Sequence, residues 1–256
     1  MPTNYANEQK ILDEIHELEP SQCLILSDSE DSSNYIFTAD VLETILNDSY
    51  LSFWKDNSKS QTPPDFVNDT HNLMMEVMRI DDHSADGKEN PALKREREMH
   101  KELKAIKHLL PNAQNNFCIP DIDLPTEIDH NYKNLYTSFQ RTVRKHRRKI
   151  EKYRIYHPNK KMIFLVMNET SGIYFESYHG TKGRPHLLFF DNRFLNEFVD
   201  YDIDYLIMYS PFNYHQTSGE HFNLPKLVIF DVKHLKNSKM MQFIDYDETR
   251  MKSNEL

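Results

Sequence analysis

A chain of 256 residues with 38% hydrophobic and 28% charged side chains suits a soluble globular protein of one large domain or two small ones. Its five glycines are too few for a glycine-rich phosphate loop, and its two cysteines, Cys23 and Cys118, exclude a disulfide scaffold and a cysteine-built zinc site. The net charge of −9 divides into −14 over residues 1–90, +8 over residues 91–160 and −3 over residues 161–256, so the middle of the chain suits a polyanion and the front opposes one.

Residues 7–18 place Ile11, Leu12, Ile15 and Leu18 on one helical face, and Pro20 ends the run. The acidic start shows no signal-peptide pattern, and no apolar run is long enough to span a membrane. With both thiols read as reduced, the expectation is a cytoplasmic protein. Cys23, Leu24, Ile25 and Leu26 form a short strand leading into an acidic serine loop over residues 27–33. This tetrad also resembles a SUMO-interacting motif, but the strand and loop are the preferred reading. Thr38 or Asp40 caps a helix over residues 41–47, with Val41, Leu42, Ile45 and Leu46 apolar. Residues 50–54 read as a first strand and residues 55–62 as a polar loop.

Pro64-Asp65 then opens a turn that leads to the run Leu73-Met74-Met75-Glu76-Val77-Met78-Arg79-Ile80. The run is apolar on both faces, as in a strand covered on both sides. A carboxylate inside such a strand is costly unless paired or metal-bound, which singles out Glu76. Asp65 and Glu76, one hairpin apart on neighbouring strands, can share a hard divalent cation, and such an ion activates water for attack on a phosphodiester. A Pro-Asp followed by an acidic residue, one further residue and lysine is the signature of the PD-(D/E)XK nuclease superfamily, which this stretch resembles with Met78 at the lysine position. The resemblance implies a restriction-endonuclease-like fold, a mixed central sheet flanked by helices. It also implies a metal-dependent nuclease hydrolysing phosphodiester bonds in DNA, with Asp65 and Glu76 holding Mg2+ (or Mn2+). Members often carry a glutamate on the helix before the first core strand; Glu43 is the best-placed candidate, with Glu14 behind it. Strand alternation turns Arg79 away from Glu76. The missing lysine is therefore sought on the next helix, at Lys88 or Lys94.

After Ile80 comes a polar loop to residue 90, a charged helix over residues 91–110, and an irregular proline-spaced stretch over residues 111–129. A second helix, residues 132–156, carries Arg141, Arg144, Lys145, Arg148 and Lys152 at helical spacing. Such a stripe can neutralise backbone phosphates, so nucleic acid, DNA first, is the expected partner. The stripe speaks for backbone contact and not for base reading. Residues 162–167, 205–209 and 227–230 read as buried strands. Residues 173–175 read as a hairpin partner of the first of these, residues 187–190 as a shorter apolar run, and residues 194–199 as one or two helical turns. The order helix, strand, Pro-Asp hairpin, acidic strand, helix, strand matches the core that the resemblance implies.

The organisation expected is a single α/β domain over residues 1–256, with an N-terminal helix and acidic loop in residues 1–36 and a basic helical insertion in residues 111–158. Asp231-Val232-Lys233 is a second (D/E)-x-K and ranks behind the first; Lys233 reaching the Asp65/Glu76 site is a further option. The thirteen histidines lack metal-ligand spacing, and Ser171-Gly172 reads as a turn. A homodimer is compatible with the reading. The alternative is a catalytically inactive nuclease-fold module that binds nucleic acid or a protein partner, or an adaptor that binds partners through its acidic front.

Overall fold

The computed structural model describes residues 5–27, 32–47, 49–57, 64–82, 101, 131–170, 173–211, 215–217, 220–222, 225–232 and 243–253. Its centre is a mixed seven-stranded sheet with helices on both faces. The strands are β1 (Cys23–Leu26), β2 (Lys55–Asp56), β3 (Phe66–Asn68), β4 (Leu73–Ile80), β5 (Lys161–Asn168), β8 (Tyr205–Tyr209) and β11 (Leu227–Asp231). They stand in the order β1-β11-β8-β5-β4-β3-β2. β2, β3 and β4 form an antiparallel meander, and β5 then pairs parallel to β4 along its whole length. β8 continues parallel to β5, while β11 runs antiparallel to β8 and parallel to β1.

The apolar run of β4 is explained by its central place. Met74, Met78 and Ile80 enter one core, while Met75 and Val77 enter the other. The second core is closed by α1 (Tyr5–His16), α2 (Ser32–Leu46) and the single turn α3 (Tyr50–Phe53). The first is closed by α4 (Tyr132–Arg147), α5 (Ile150–Tyr156) and α6 (Asn192–Asn196). Two smaller sheets complete the structure. β6 (Tyr174–Tyr178), β7 (Thr181–Pro185) and β12 (Met251–Ser253) form one, and β9 (His215–Thr217) with β10 (Glu220–Phe222) forms the other. The β6–β7 turn uses two residues of positive φ, His179 and Gly180, as a tight hairpin with right-handed strand twist requires.

Four local expectations are corrected. Residues 50–53 are helical, not a strand: Tyr50 and Trp54 both turn inward four residues apart, and Trp54 Nε1 donates to Thr44 O at 3.1 Å. The strand lies just beyond, at Lys55–Asp56, in the expected loop. Residues 174–178 do not pair with β5, because both edges of β5 are already taken by β4 and β8. The helix expected over residues 41–47 starts earlier, at Ser32, inside the expected acidic loop. The expected helix over residues 132–156 is two helices, α4 and α5, meeting at Arg148 and Lys149. The calls on residues 28–31, on the polar loop over 83–90, on the helix over 91–110 apart from Lys101, on Ser171-Gly172, on Lys88, Lys94 and Lys233, and on the stretch 111–129 lie outside the described residues. Among the described residues no helix is long and apolar enough to cross a membrane.

Candidate functional site

The pairing of Phe66 with Met75 sets Asp65 against Glu76, one step before β3 begins. β3 covers only Leu73–Met75, so the next part of β4 extends past it. There the Asp65 side chain takes over from a strand: its Oδ2 accepts from Val77 N at 2.8 Å, while its backbone oxygen accepts from Asn57 N at 2.8 Å. Phe66 and Met75 face the α1–α3 core, so alternation directs Asp65 and Glu76 to the opposite face, where α4 and α5 pack.

Glu76 is only 2% exposed. Its Oε1 accepts from His146 Nδ1 at 2.5 Å and from Lys149 Nζ at 3.3 Å. Both donors come from the α4–α5 joint, where Lys149 N bonds back to His146 O at 2.9 Å. This three-residue return tightens the helix locally, and in such a turn side chains at i and i+3 eclipse. His146 and Lys149 therefore stand in line over one carboxylate. The other oxygen, Oε2, and the Tyr153 hydroxyl both miss strict hydrogen-bond geometry, but the hydroxyl lies beside the carboxylate and acts on it as a donor.

The Glu76 charge acts on two further acids, Asp65 on the same face and Glu8 on α1 across the sheet. Burial alone would raise Glu76, but the hydrogen bond and charge of His146, the Tyr153 hydroxyl and Lys149 outweigh it and hold the carboxyl below its ordinary range. Asp65 is pushed up to about 8, first by burial and then by the Glu76 charge, with the Val77 N–H pulling partly back. Glu8 on α1 is pushed up to about 7 by burial, then by Glu76 and Asp56. Its Oε2 is also buried and unpartnered. Near neutral pH the cluster thus holds one carboxylate and two acids that lose protons only reluctantly. Carboxylate oxygens are hard donors of the kind a divalent cation takes, but burial more than repulsion holds Asp65 and Glu8 protonated. Among the described residues no three His, Cys, Asp or Glu side chains converge closely enough to ligate one ion.

The remaining candidates are placed as follows. Met78 is 1% exposed and packs in the α4–α6 core. Arg79 turns to the other face and pairs with Glu169 at 3.2 Å. Glu43 is exposed on α2 with its Oε1 near Asn47, and Glu14 pairs with Lys10; neither contacts Asp65 or Glu76. Lys94 lies outside the described residues. Asp231 ends β11, three strands from β4, a separation of ~14 Å. Arg141, Lys145, Arg148 and Lys152 are exposed, whereas Arg144 is drawn to Glu197 at 3.2 Å.

His146, Lys149 and Glu8 escaped the sequence reading as site residues. Glu8 had a signal: it shares a helical face with Ile11, Leu12 and Ile15, so it points inward. Lys149 was visible only as one cation in a crowd, since no proline or glycine marks the joint. Comparison with protein-family models, with curated proteins and with solved structures finds no match.

Proposed function

We propose that this chain is a metal-dependent nuclease-like protein of restriction-endonuclease-like fold that hydrolyses phosphodiester bonds in DNA. The observation that carries this reading is the pair of buried carboxyl groups that the β3–β4 register sets abreast, Asp65 raised to about 8 by burial and then by the Glu76 charge. The chain order supports it: helices, the meander β2-β3-β4 with Asp65 and Glu76 on adjacent strands, the helix α4, and β5 parallel to β4.

Asp65 and Glu76 would hold Mg2+ (or Mn2+). A bound ion of this kind polarises the phosphate and activates water. His146 fixes the Glu76 carboxylate in place, and the neighbouring Glu8, rather than the distant Glu43, adds negative charge to the cluster. Lys149 supplies the ammonium that Met78 cannot, from a helix joint instead of the strand. Arg141, Lys145, Arg148 and Lys152 would take DNA backbone phosphates. A homodimer would present two such sites to the two strands of a duplex.

The test is cleavage of plasmid DNA by the purified protein with magnesium or manganese. Cutting that disappears in Glu76→Ala supports the reading; intact plasmid under all metal conditions overturns the catalytic part. A second reading, an inactive nuclease-fold module that binds nucleic acid or a protein partner, is favoured by Met78 and by the lack of a three-ligand group among the described residues. DNA binding without cutting selects it.

A further inference from the structure

On the face of the sheet opposite Glu76, a cavity of about 430 Å3 opens between α2 and the first residues of β4, β5 and β8. α2 turns Phe37, Asp40 and Val41 toward it at helical spacing, and the strands supply Leu73, Lys161 and Tyr205. Lys161 opens β5 two residues before Ile163, so strand alternation gives it the side of the α1–α3 core. The volume is that of a small-molecule site, and two rings, a valine and a leucine wall it.

Two opposite charges line this cavity, and both are unpaired. Lys161 Nζ donates to the Tyr205 hydroxyl at 3.2 Å and stands 5.3 Å from the centre of the Phe37 ring and 5.4 Å from that of Tyr205. The rings hold the ammonium in place without cancelling its charge. Asp40 lies one helical turn beyond Phe37 and is exposed. The two do not pair with each other, and neither forms an ion pair with another described residue. Low-dielectric walls concentrate the field of charges at a cleft. A ligand of one sign is attracted by one of these groups and repelled by the other; a zwitterion answers both.

We propose that this cavity binds a free α-amino acid with an aromatic side chain, its carboxylate on Lys161, its ammonium on Asp40 and its ring between Val41, Leu73 and the rings of Phe37 and Tyr205. An α-amino acid carries both charges on one carbon, and its ring packs edge-on or offset against the two aromatic walls. The site goes beyond the reading of Asp65 and Glu76 and does not depend on it, because it lies across the sheet from them.

The experiment uses the full chain and fluorotryptophan, with fluorine NMR of the ligand as the readout. N-acetyl-fluorotryptophan lacks the ammonium and fluorotryptamine lacks the carboxylate. Wild type should bind the amino acid about fivefold more tightly than either. Asp40→Asn should weaken fluorotryptophan and fluorotryptamine about fivefold and leave the N-acetyl form no weaker; Lys161→Gln should weaken fluorotryptophan and the N-acetyl form and spare fluorotryptamine. Both residues are exposed, so the two variants should keep the wild-type circular dichroism. Equal binding of all three ligands to wild type overturns the zwitterion assignment, as does an equal loss of all three in either variant. An unchanged fluorine signal with ~1 mM ligand overturns the site itself.

Discussion

Two buried carboxylates in this protein show opposite bookkeeping. Asp191 is 0% exposed, and every oxygen is used. Oδ2 accepts from the Tyr132 hydroxyl at 2.6 Å and lies 2.8 Å from His186 Nε2, while Oδ1 caps α6 through Arg193 N at 2.9 Å. Glu76 is nearly as deep, but His146 and Lys149 share one oxygen, the other has only the Tyr153 hydroxyl beside it, and its charge helps raise Asp65 and Glu8. A satisfied buried charge knits elements together, here α4, the segment after β7 and α6. A less evenly satisfied one, set beside a second acid, marks a candidate site.

Substitution should separate the two centres. The largest effect expected is at Glu76: Glu76→Ala should lower DNA cleavage about a thousandfold, or ~4 kcal/mol in the barrier, with the fold retained, as read by a plasmid assay beside circular dichroism. Asp191→Ala should do the reverse. It strands Tyr132, His186 and the start of α6, so denaturation should show a loss of ~3 kcal/mol. A Glu76→Ala protein that unfolds, or an Asp191→Ala protein as stable as wild type, would erase the contrast.

Asp65 tests the cost of burying a second acid beside Glu76. Its pKa rises from an ordinary 3.8 to about 8 in the folded protein, so the folded state binds the proton more tightly. The stability this gives is fully present below about pH 4 and is lost as pH rises toward about 8. Thermal melting without metal should therefore fall across that window. Asp65→Asn should flatten the fall and gain ~2 kcal/mol at pH 8 relative to wild type. Millimolar Mn2+ should also raise wild-type melting at pH 8, by ~2 kcal/mol or more if its concentration greatly exceeds its dissociation constant, and should do so far less in Asp65→Asn. The smallest effects belong to the ridge: Lys152→Ala should leave stability within ~0.5 kcal/mol and reduce the salt slope of DNA binding by about 1.

Much of the frame was legible because it follows from short-range pattern. β4, β5, β8 and β11 are runs apolar on both faces, and only a sheet covered on both sides buries such runs. Asp65 and Glu76 were readable as a pair because one hairpin joins their strands, and the register of three residue pairs does bring them abreast. The segment at Tyr50 was read as a strand; packing of Trp54 onto Thr44 makes it helical. The break between α4 and α5 had no composition signal, and it decides which cations leave the surface stripe. Arg144 was assigned to the same stripe by spacing, yet Glu197, far along the chain, turns it aside.

The amino-acid sequence alone determined that a charge would be buried in the middle of a doubly covered strand, since periodicity and hydrophobicity act within a few residues. Only the tertiary structure decided what would answer that charge. His146 and Lys149 lie 70 and 73 residues from Glu76, and their meeting depends on a crossover that lays α4 and α5 over β4 and on a local tightening of the backbone that eclipses the two side chains. Contacts of that separation are set by packing of whole elements, which no local pattern encodes.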